Sequence, residues 1–215
     1  MIKAAHHLFR HLAPMKCGGC DSAFMPKSDR RDAGAAFCPA CAPLLDKLPF
    51  SSSCFAYGGP LAEAIQSLKY RNRPELGHRL GCLMIETALS RFAGQIDAVA
   101  PIPLSQRRQR KRGYNQASLL AEPIAAAIAV PLLTGVLLRH SQGRSQARRN
   151  RRERRLLGRA TFEVRGSPPG RVLLIDDVRT TGTTLKMATA ALVRQEVSSV
   201  RTLSLAGPTE EPSRV

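Results

Sequence analysis

The sequence predicts an α/β domain whose parallel sheet is flanked by helices, preceded by a small metal-binding module. Three observations carry this reading. Short apolar segments of strand type alternate with helical patterns from residue 53 onward. Val172-Leu-Leu-Ile175 is a wholly apolar run that ends in two acids, the mark of a central parallel strand. Four cysteines form two C-x2-C pairs within the first fifty residues. Hydrophobic residues make up 43% of the 215 residues, which with 16 glycines is an ordinary globular composition and excludes a disordered or collagen-like chain. No run approaches the roughly 20 apolar residues that span a bilayer, so no membrane insertion is expected. His6, His7, Arg10 and His11 interrupt the N-terminal segment, which does not read as a secretory signal.

Cys17, Cys20, Cys38 and Cys41 give C-x2-C, 17 residues, then C-x2-C, the spacing of a zinc ribbon. Two thiolates three positions apart across a tight turn reach adjacent corners of a tetrahedron at about 2.3 Å from zinc. Gly18-Gly19 in the first knuckle is expected to allow that turn through positive φ. The competing reading is two disulfides in a secreted domain. Metal binding would supply the folding energy that so short a module lacks. Cys54 and Cys82 sit in apolar surroundings and read as core residues rather than ligands.

Pro43, Pro49, Ser51 to Ser53 and Gly58-Gly59-Pro60 punctuate the chain after the second knuckle, which sets a boundary near residue 50. The expected units are residues 1–50 (N-terminal arm and ribbon), 51–208 (the α/β domain) and 209–215 (a tail). Ser53 to Tyr57 reads as a strand. Pro60 opens a helix with Leu61, Ile65 and Leu68 on one face, and Pro74 opens another with Leu76, Leu80, Leu83 and Met84. Ile96 to Pro103 is a strand entering a proline-bracketed loop, Leu104 to Gly113, that holds Arg107, Arg108, Arg110, Lys111 and Arg112. A helix over Gln116 to Val130 carries Leu120, Ile124 and Ile128, with Pro123 kinking it or marking its start. Leu132 to Leu138 reads as a further strand. Leu185, Ala188, Ala191 and Leu192 give the helix after Ile175, and Val200 to Leu205 closes the sheet.

Charge is uneven. The chain carries 33 Lys+Arg against 16 Asp+Glu, a net +17. Sixteen of the cations and three of the acids lie between Arg107 and Arg171. Such a surface attracts phosphate, in nucleic acid or in small metabolites. Aromatic residues are only 5% and Trp is absent, which leaves little material for stacking a single strand. The Arg run 148–155 is either a solvated helix face or an ordered DNA contact. Tyr114-Asn115-Gln116 is either a ligand-facing loop or a helix start with Asn115 as cap.

The most informative segment runs from Arg171 to Leu185. A buried strand ends in Asp176-Asp177, a hydroxyl-rich turn comes next, and a helix begins. Ligands of open α/β sheets bind at such carboxyl ends. Thr180, Thr181, Gly182, Thr183 and Thr184 surround a helix N-terminus whose free amides and dipole make an anion site. The two carboxylates would repel a phosphate and call for hydroxyl groups or a metal. A ribose 5-phosphate meets both demands. A helix cap alone would need one aspartate, not two.

Residues 172–184 resemble the phosphoribosyl-pyrophosphate signature of type I phosphoribosyltransferases: four apolar residues, two acids, a short spacer and a Thr/Gly loop. Arg179 departs from it, because an apolar residue is usual there; it tilts the loop or adds charge beside the site. The four-cysteine module, Tyr57-Gly, Leu68-Lys69-Tyr70, Pro101-Ile-Pro103, Arg112-Gly-Tyr-Asn-Gln116 and DDVRTTGTT together resemble the ComF family, from about Leu8 to Pro208. These are bacterial phosphoribosyltransferase-like proteins associated with competence. The resemblance implies a type I phosphoribosyltransferase-like fold, a structural zinc, a cytoplasmic location and a link to DNA uptake or nucleotide handling. It implies that Asp176 and Asp177 hold the ribose hydroxyls and that Thr180 to Thr184 hold the 5-phosphate. Pro103, Leu104 and Ser105, with Arg107 and Arg108 beyond, match the pyrophosphate loop, and Arg144 to Arg159 falls where such enzymes carry a mobile lid.

The activity so implied is transfer of a phosphoribosyl group from phosphoribosyl pyrophosphate, with Mg²⁺, to an acceptor that no residue spacing identifies. Thr180 stands where 6-oxopurine enzymes have an aspartate, which argues against hypoxanthine or guanine. Two other expectations stand beside it: a non-catalytic sensor of phosphoribosyl pyrophosphate, and a competence factor that binds single-stranded DNA. A helicase-type protein is a further candidate partner for the ribbon.

Overall fold

A computed structural model describes residues 14–25, 36–49, 51–141 and 160–209. The N-terminal histidines, Arg144 to Arg159 and residues 210–215 lie outside the described residues, as do the lid and tail expected there.

Four strands form one parallel sheet: β3 (Ser53–Ala56), β4 (Ala98–Pro101), β7 (Arg171–Val178) and β8 (Ser199–Gly207), in the order β3-β8-β7-β4. Strand β7 is therefore internal, as its apolar run predicts. Alternation along it sends successive side chains to opposite faces. Leu173 and Ile175 join the cluster containing α1 (Gly59–Tyr70), α2 (Glu75–Leu83) and α5 (Gln116–Ala127). Val172 and Leu174 join the other, with Leu185, Ala188 and Leu192 of α6 (Thr183–Val193). Both faces of the sheet are thus covered, the arrangement parallel strands require.

A two-stranded ribbon, β1 (Met15–Lys16) with β2 (Ala23–Phe24), carries the first cysteine knuckle. A second antiparallel pair, β5 (Leu137–Ser141) with β6 (Ala160–Val164), stands apart from the sheet. A Ser105–Arg139 bridge ties it to the chain leaving β4. Among the described residues, no helix is long and apolar enough to cross a membrane.

Four local expectations need correction. Residues in the span 104–113 are not all loop, since Gln106–Arg112 form a short helix, α4. Arg, Lys and Gln are good helix formers, and Gly113, left-handed at φ 82°, ends the turn by donating its N–H to Gln109 O. Helix α5 stops at Ala127 rather than Val130, because Ala129 turns to φ 56°, and Pro123 sits inside it. The strand expected at Leu132 to Leu138 begins at Leu137, while Leu132 makes one bridge to Val99. Gly18 and Gly19 are not the residues with positive φ in the knuckle; Asp21 is, at 63°. The glycines are there for space: a Cβ on Gly19 would lie 2.6 Å from Pro60 Cβ, and one on Gly18 would lie 3.0 Å from Ala64 Cβ. A helix not foreseen from the sequence, α3 (Ile85–Phe92), continues from α2 across Met84.

Helices α2 and α5 approach so closely that a Cβ on Gly81 would lie 2.5 Å from Leu120 O and 2.6 Å from Pro123 Cγ. We predict that Gly81→Val destabilises the protein by about 3 kcal/mol, because the obstacle is backbone and cannot yield. Urea unfolding checks this as a lowered midpoint at unchanged slope; an unchanged midpoint contradicts the packing.

Candidate functional site

A cavity of about 1200 Å³ lies at the carboxyl ends of β4 and β7. Its floor is the acid doublet. Asp176 and Asp177 are 9% and 4% exposed, and both line the cavity. Asp176 Oδ1 accepts the Asp177 N–H at 2.9 Å and Asp177 Oδ1 accepts the Val178 N–H at 2.8 Å. Each carboxylate is thus held by the backbone just after it. Lys69, near the end of α1, places its Nζ 2.8 Å from Asp177 Oδ2. Burial, and then the charge of Asp177, push the Asp176 carboxyl well above the usual carboxylate range.

The chain leaving β4 forms one wall. Ile102 donates its N–H to Ile175 O at 2.9 Å, which locks this segment to β7. Asn115 locks it from the other side: its Nδ2 donates to Ile102 O at 3.0 Å while its Oδ1 accepts the Ala117 N–H at 3.1 Å. Asn115 is therefore the cap of α5 and a brace for the wall, whereas its neighbours Tyr114 and Gln116 line the cavity. Pro103, Leu104 and Ser105 come next along the chain, and then α4 turns Arg107, Arg108, Lys111 and Arg112 toward the cavity. With Lys69 and Arg139, six cations and two carboxylates line it. Arg139 is half-buried over the Phe162 ring, and burial lowers its pKa from the ordinary arginine value. Such a lining suits a polyanion that also presents hydroxyls or a divalent cation to two acids.

Of the residues singled out from sequence, Asp176, Asp177, Pro103, Leu104, Ser105, Arg107, Arg108 and Thr184 share this cavity. Thr180, Thr181 and Gly182 lie in the turn between β7 and α6, and Thr183 is the first residue of α6. Gly182 takes φ 72° as the residue before α6. The Thr181 and Thr183 hydroxyls lie 2.9 Å apart, and Thr181 Oγ1 accepts the Thr183 N–H at 3.4 Å. Arg179 is not among the residues that line the cavity; its guanidinium donates to Ser53 Oγ at 3.3 Å and Ser51 Oγ at 3.1 Å. Lys69, Lys111, Arg112 and Arg139 carry no site role that the sequence alone assigns. For Lys69 the only signal is the Leu68-Lys69-Tyr70 resemblance.

The four N-terminal cysteines converge, with all sulfur atoms within 4.8 Å of one another. All six cysteines of the chain are free thiols, so the disulfide alternative does not describe this structure. Cys20 and Cys38 sulfurs lie 3.7 Å apart, close to the edge of about 3.8 Å expected for a tetrahedron with 2.3 Å metal–sulfur bonds. Cys17 Sγ accepts the amides of Gly19 at 3.4 Å and Cys38 at 3.3 Å. The cluster fits zinc. Arg73 holds it to the domain, with Nη1 2.6 Å from Asp21 Oδ1 and Nη2 donating to Lys16 O at 3.2 Å.

A scan against models of known protein families finds no match. The chain is similar to Competence protein F of Haemophilus influenzae, 30% identical over 158 residues, covering 70% of this chain and 69% of that protein. It is 30% identical to Competence protein ComFC of Bacillus subtilis over 71% of this chain and 62% of the relative. It is also 30% identical to DNA utilization protein YhgH of Salmonella typhimurium over 67% of this chain and 66% of the relative. It therefore spans about two thirds of the length of these relatives. Among solved structures, it is similar to a hypoxanthine phosphoribosyltransferase from Staphylococcus aureus, with TM-score 0.40, 16% identity, and coverage of 65% of this chain and 70% of that one. The orotate phosphoribosyltransferase from Aeropyrum pernix gives TM-score 0.37 and 14% identity over 94% of this chain and 92% of that one.

Proposed function

This chain belongs to the family of Competence protein F, ComFC and YhgH, and from that premise we propose that it binds phosphoribosyl pyrophosphate with Mg²⁺ and transfers the phosphoribosyl group to an acceptor. The observation that carries the reading is the buried Asp176-Asp177 pair in a cavity that six cations also line. Asp176 and Asp177 receive the ribose hydroxyls, and the turn from Thr180 to Thr184 receives the 5-phosphate at the N-terminus of α6. Pro103 to Ser105, Arg107 and Arg108 flank the pyrophosphate.

In the reaction the sugar C1–oxygen bond breaks and its electron pair leaves with pyrophosphate. The acceptor's lone pair forms the new bond to C1, and the acceptor gives up a proton. Cost concentrates on the leaving group, where Arg107, Arg108 and Arg139 supply fixed positive charge. The acid doublet offers hard oxygen donors suited to Mg²⁺, which is held by one or two carboxylates together with phosphate oxygens. Bound there, the ion would neutralise charge on the pyrophosphate. The four cysteines hold a structural zinc. The relatives are named for competence and DNA utilization, which supports a role in DNA uptake or nucleotide handling.

The test is calorimetric titration of the zinc-loaded protein with phosphoribosyl pyrophosphate and Mg²⁺, followed by a pyrophosphate-release screen over acceptors. The expected result is saturable binding at one site and release with one acceptor class. Absence of binding overturns the reading. Binding without release across the screen converts it to the sensor.

A further inference from the structure

The cavity contains a feature that sugar and phosphate do not use. Tyr70, the last residue of α1, lines it while remaining 72% exposed, the highest value among the exposed large hydrophobic side chains of the described residues. The chain is poor in aromatic residues, so a solvent-facing ring at this position is not a by-product of composition. Arg112 sits over that ring with Cζ 5.5 Å from the centroid, and a hydrogen bond from its Nη1 to Gln116 Oε1 fixes the guanidinium. Two residues beyond Tyr70 the backbone enters the left-handed region at Asn72, φ 50°, and Asn72 also lines the cavity. A non-glycine residue in that region is uncommon, asparagine being the side chain that tolerates it best. The arrangement joins an aromatic face, a planar cation and an amide with both a donor and an acceptor. At about 1200 Å³ the cavity is larger than the roughly 300–1,000 Å³ usual for one small ligand.

We propose that Tyr70, Arg112 and Asn72 form a subsite for a nucleobase ring. The base stacks on Tyr70, Arg112 adds a cation–π contact, and the Asn72 amide meets the base edge. The inference rests on the phosphoribosyl reading of the same cavity and deepens it by naming the chemical class of the second ligand. The ring can come from a free nucleotide or from the end of a single strand.

The experiment uses the zinc-loaded full chain and adenosine 5′-monophosphate, ribose 5-phosphate, a ten-residue single-stranded oligonucleotide and its abasic counterpart. Because the chain has no Trp, its intrinsic fluorescence comes from three tyrosines and reports stacking directly. The base-bearing ligand is expected to bind about ten-fold more tightly than its base-free counterpart, the lower range for one stacked base. Tyr70→Ala removes that ratio and Tyr70→Phe retains it. Asn72→Gly, which keeps the backbone conformation, reduces it. A Tyr70-dependent ratio for the mononucleotide identifies a free nucleotide as the source, and one confined to the oligonucleotide identifies the strand; both support the subsite. A ratio near one in the unmodified protein for both pairs, or a ratio unaffected by Tyr70→Ala, overturns it. Failure of phosphoribosyl pyrophosphate to bind, with the Tyr70-dependent ratio intact, removes the transferase reading and leaves the subsite standing.

Discussion

Replacing Asp176 and Asp177 together by Asn weakens binding of phosphoribosyl pyrophosphate at least a hundred-fold while the protein remains folded. Each carboxylate contributes a charge-assisted contact of about 1.5–3 kcal/mol, and two such losses multiply to roughly that factor or more. Calorimetry on the folded variant is the measurement, and unchanged affinity would remove both the transferase and the sensor readings. The two aspartates also separate by stability. Asp176 carries a pKa raised by burial and by Asp177. The native state therefore keeps its proton at pH values where the unfolded chain has lost it, and stability falls as pH rises through that window. Asp176→Asn removes this loss and can still accept the Asp177 amide, so it raises the melting temperature at neutral pH. Asp177→Asn strips Lys69 of its partner at 2.8 Å. Lys69 has a side chain only 19% exposed, and the cost is about 2 kcal/mol, below that of a fully buried pair because the ammonium reaches cavity water. The same proton governs binding. A ligand that requires the Asp176 carboxylate binds more tightly as pH rises through that window, and calorimetry there in two buffers of different ionisation enthalpy records net proton release on binding.

Cys17→Ser produces the largest loss of stability. The Cys17 side chain is fully buried and belongs to the main core cluster with Leu61, Ala64 and Leu76. Zinc binding in small modules supplies about 10–16 kcal/mol to folding, comparable to the whole stability of a domain. Loss of even 4 kcal/mol lowers the melting temperature of a chain this size by about 10 °C. Metal analysis is expected to find one zinc per unmodified chain and none in the variant. A metal-free protein with an unchanged melting temperature would reject the structural zinc.

The central strand, its two acids and the helices on either side were legible because their signals are local. Four consecutive apolar residues mark β7, and i, i+4, i+7 spacing marks α1. The four-cysteine spacing was legible for the same reason. Helix α4 was not, since a seven-residue segment with no buried residue offers no apolar period to read. Lys69 was hidden differently: its partner Asp177 is 108 positions away, and only the tertiary fold, which sets the end of α1 beside the end of β7, brings them together. Asn115 read equally well as a cap or as a ligand group; the Ile102 carbonyl, thirteen residues earlier, explains why its second polar atom is already engaged. The role of the knuckle glycines is not legible in the sequence, because crowding by Pro60 and Ala64 is a tertiary fact.

Helix α1 begins with Pro60 against Gly19 of the cysteine knuckle and ends with Lys69 and Tyr70 in the cavity. Twelve residues make it a strut whose ends lie about 17 Å apart. A displacement of its metal-side seat would be carried along the helix to the lysine and the ring at its far end. Any factor by which metal at the thiolate cluster changes affinity in the cavity must then be returned unchanged in the opposite direction.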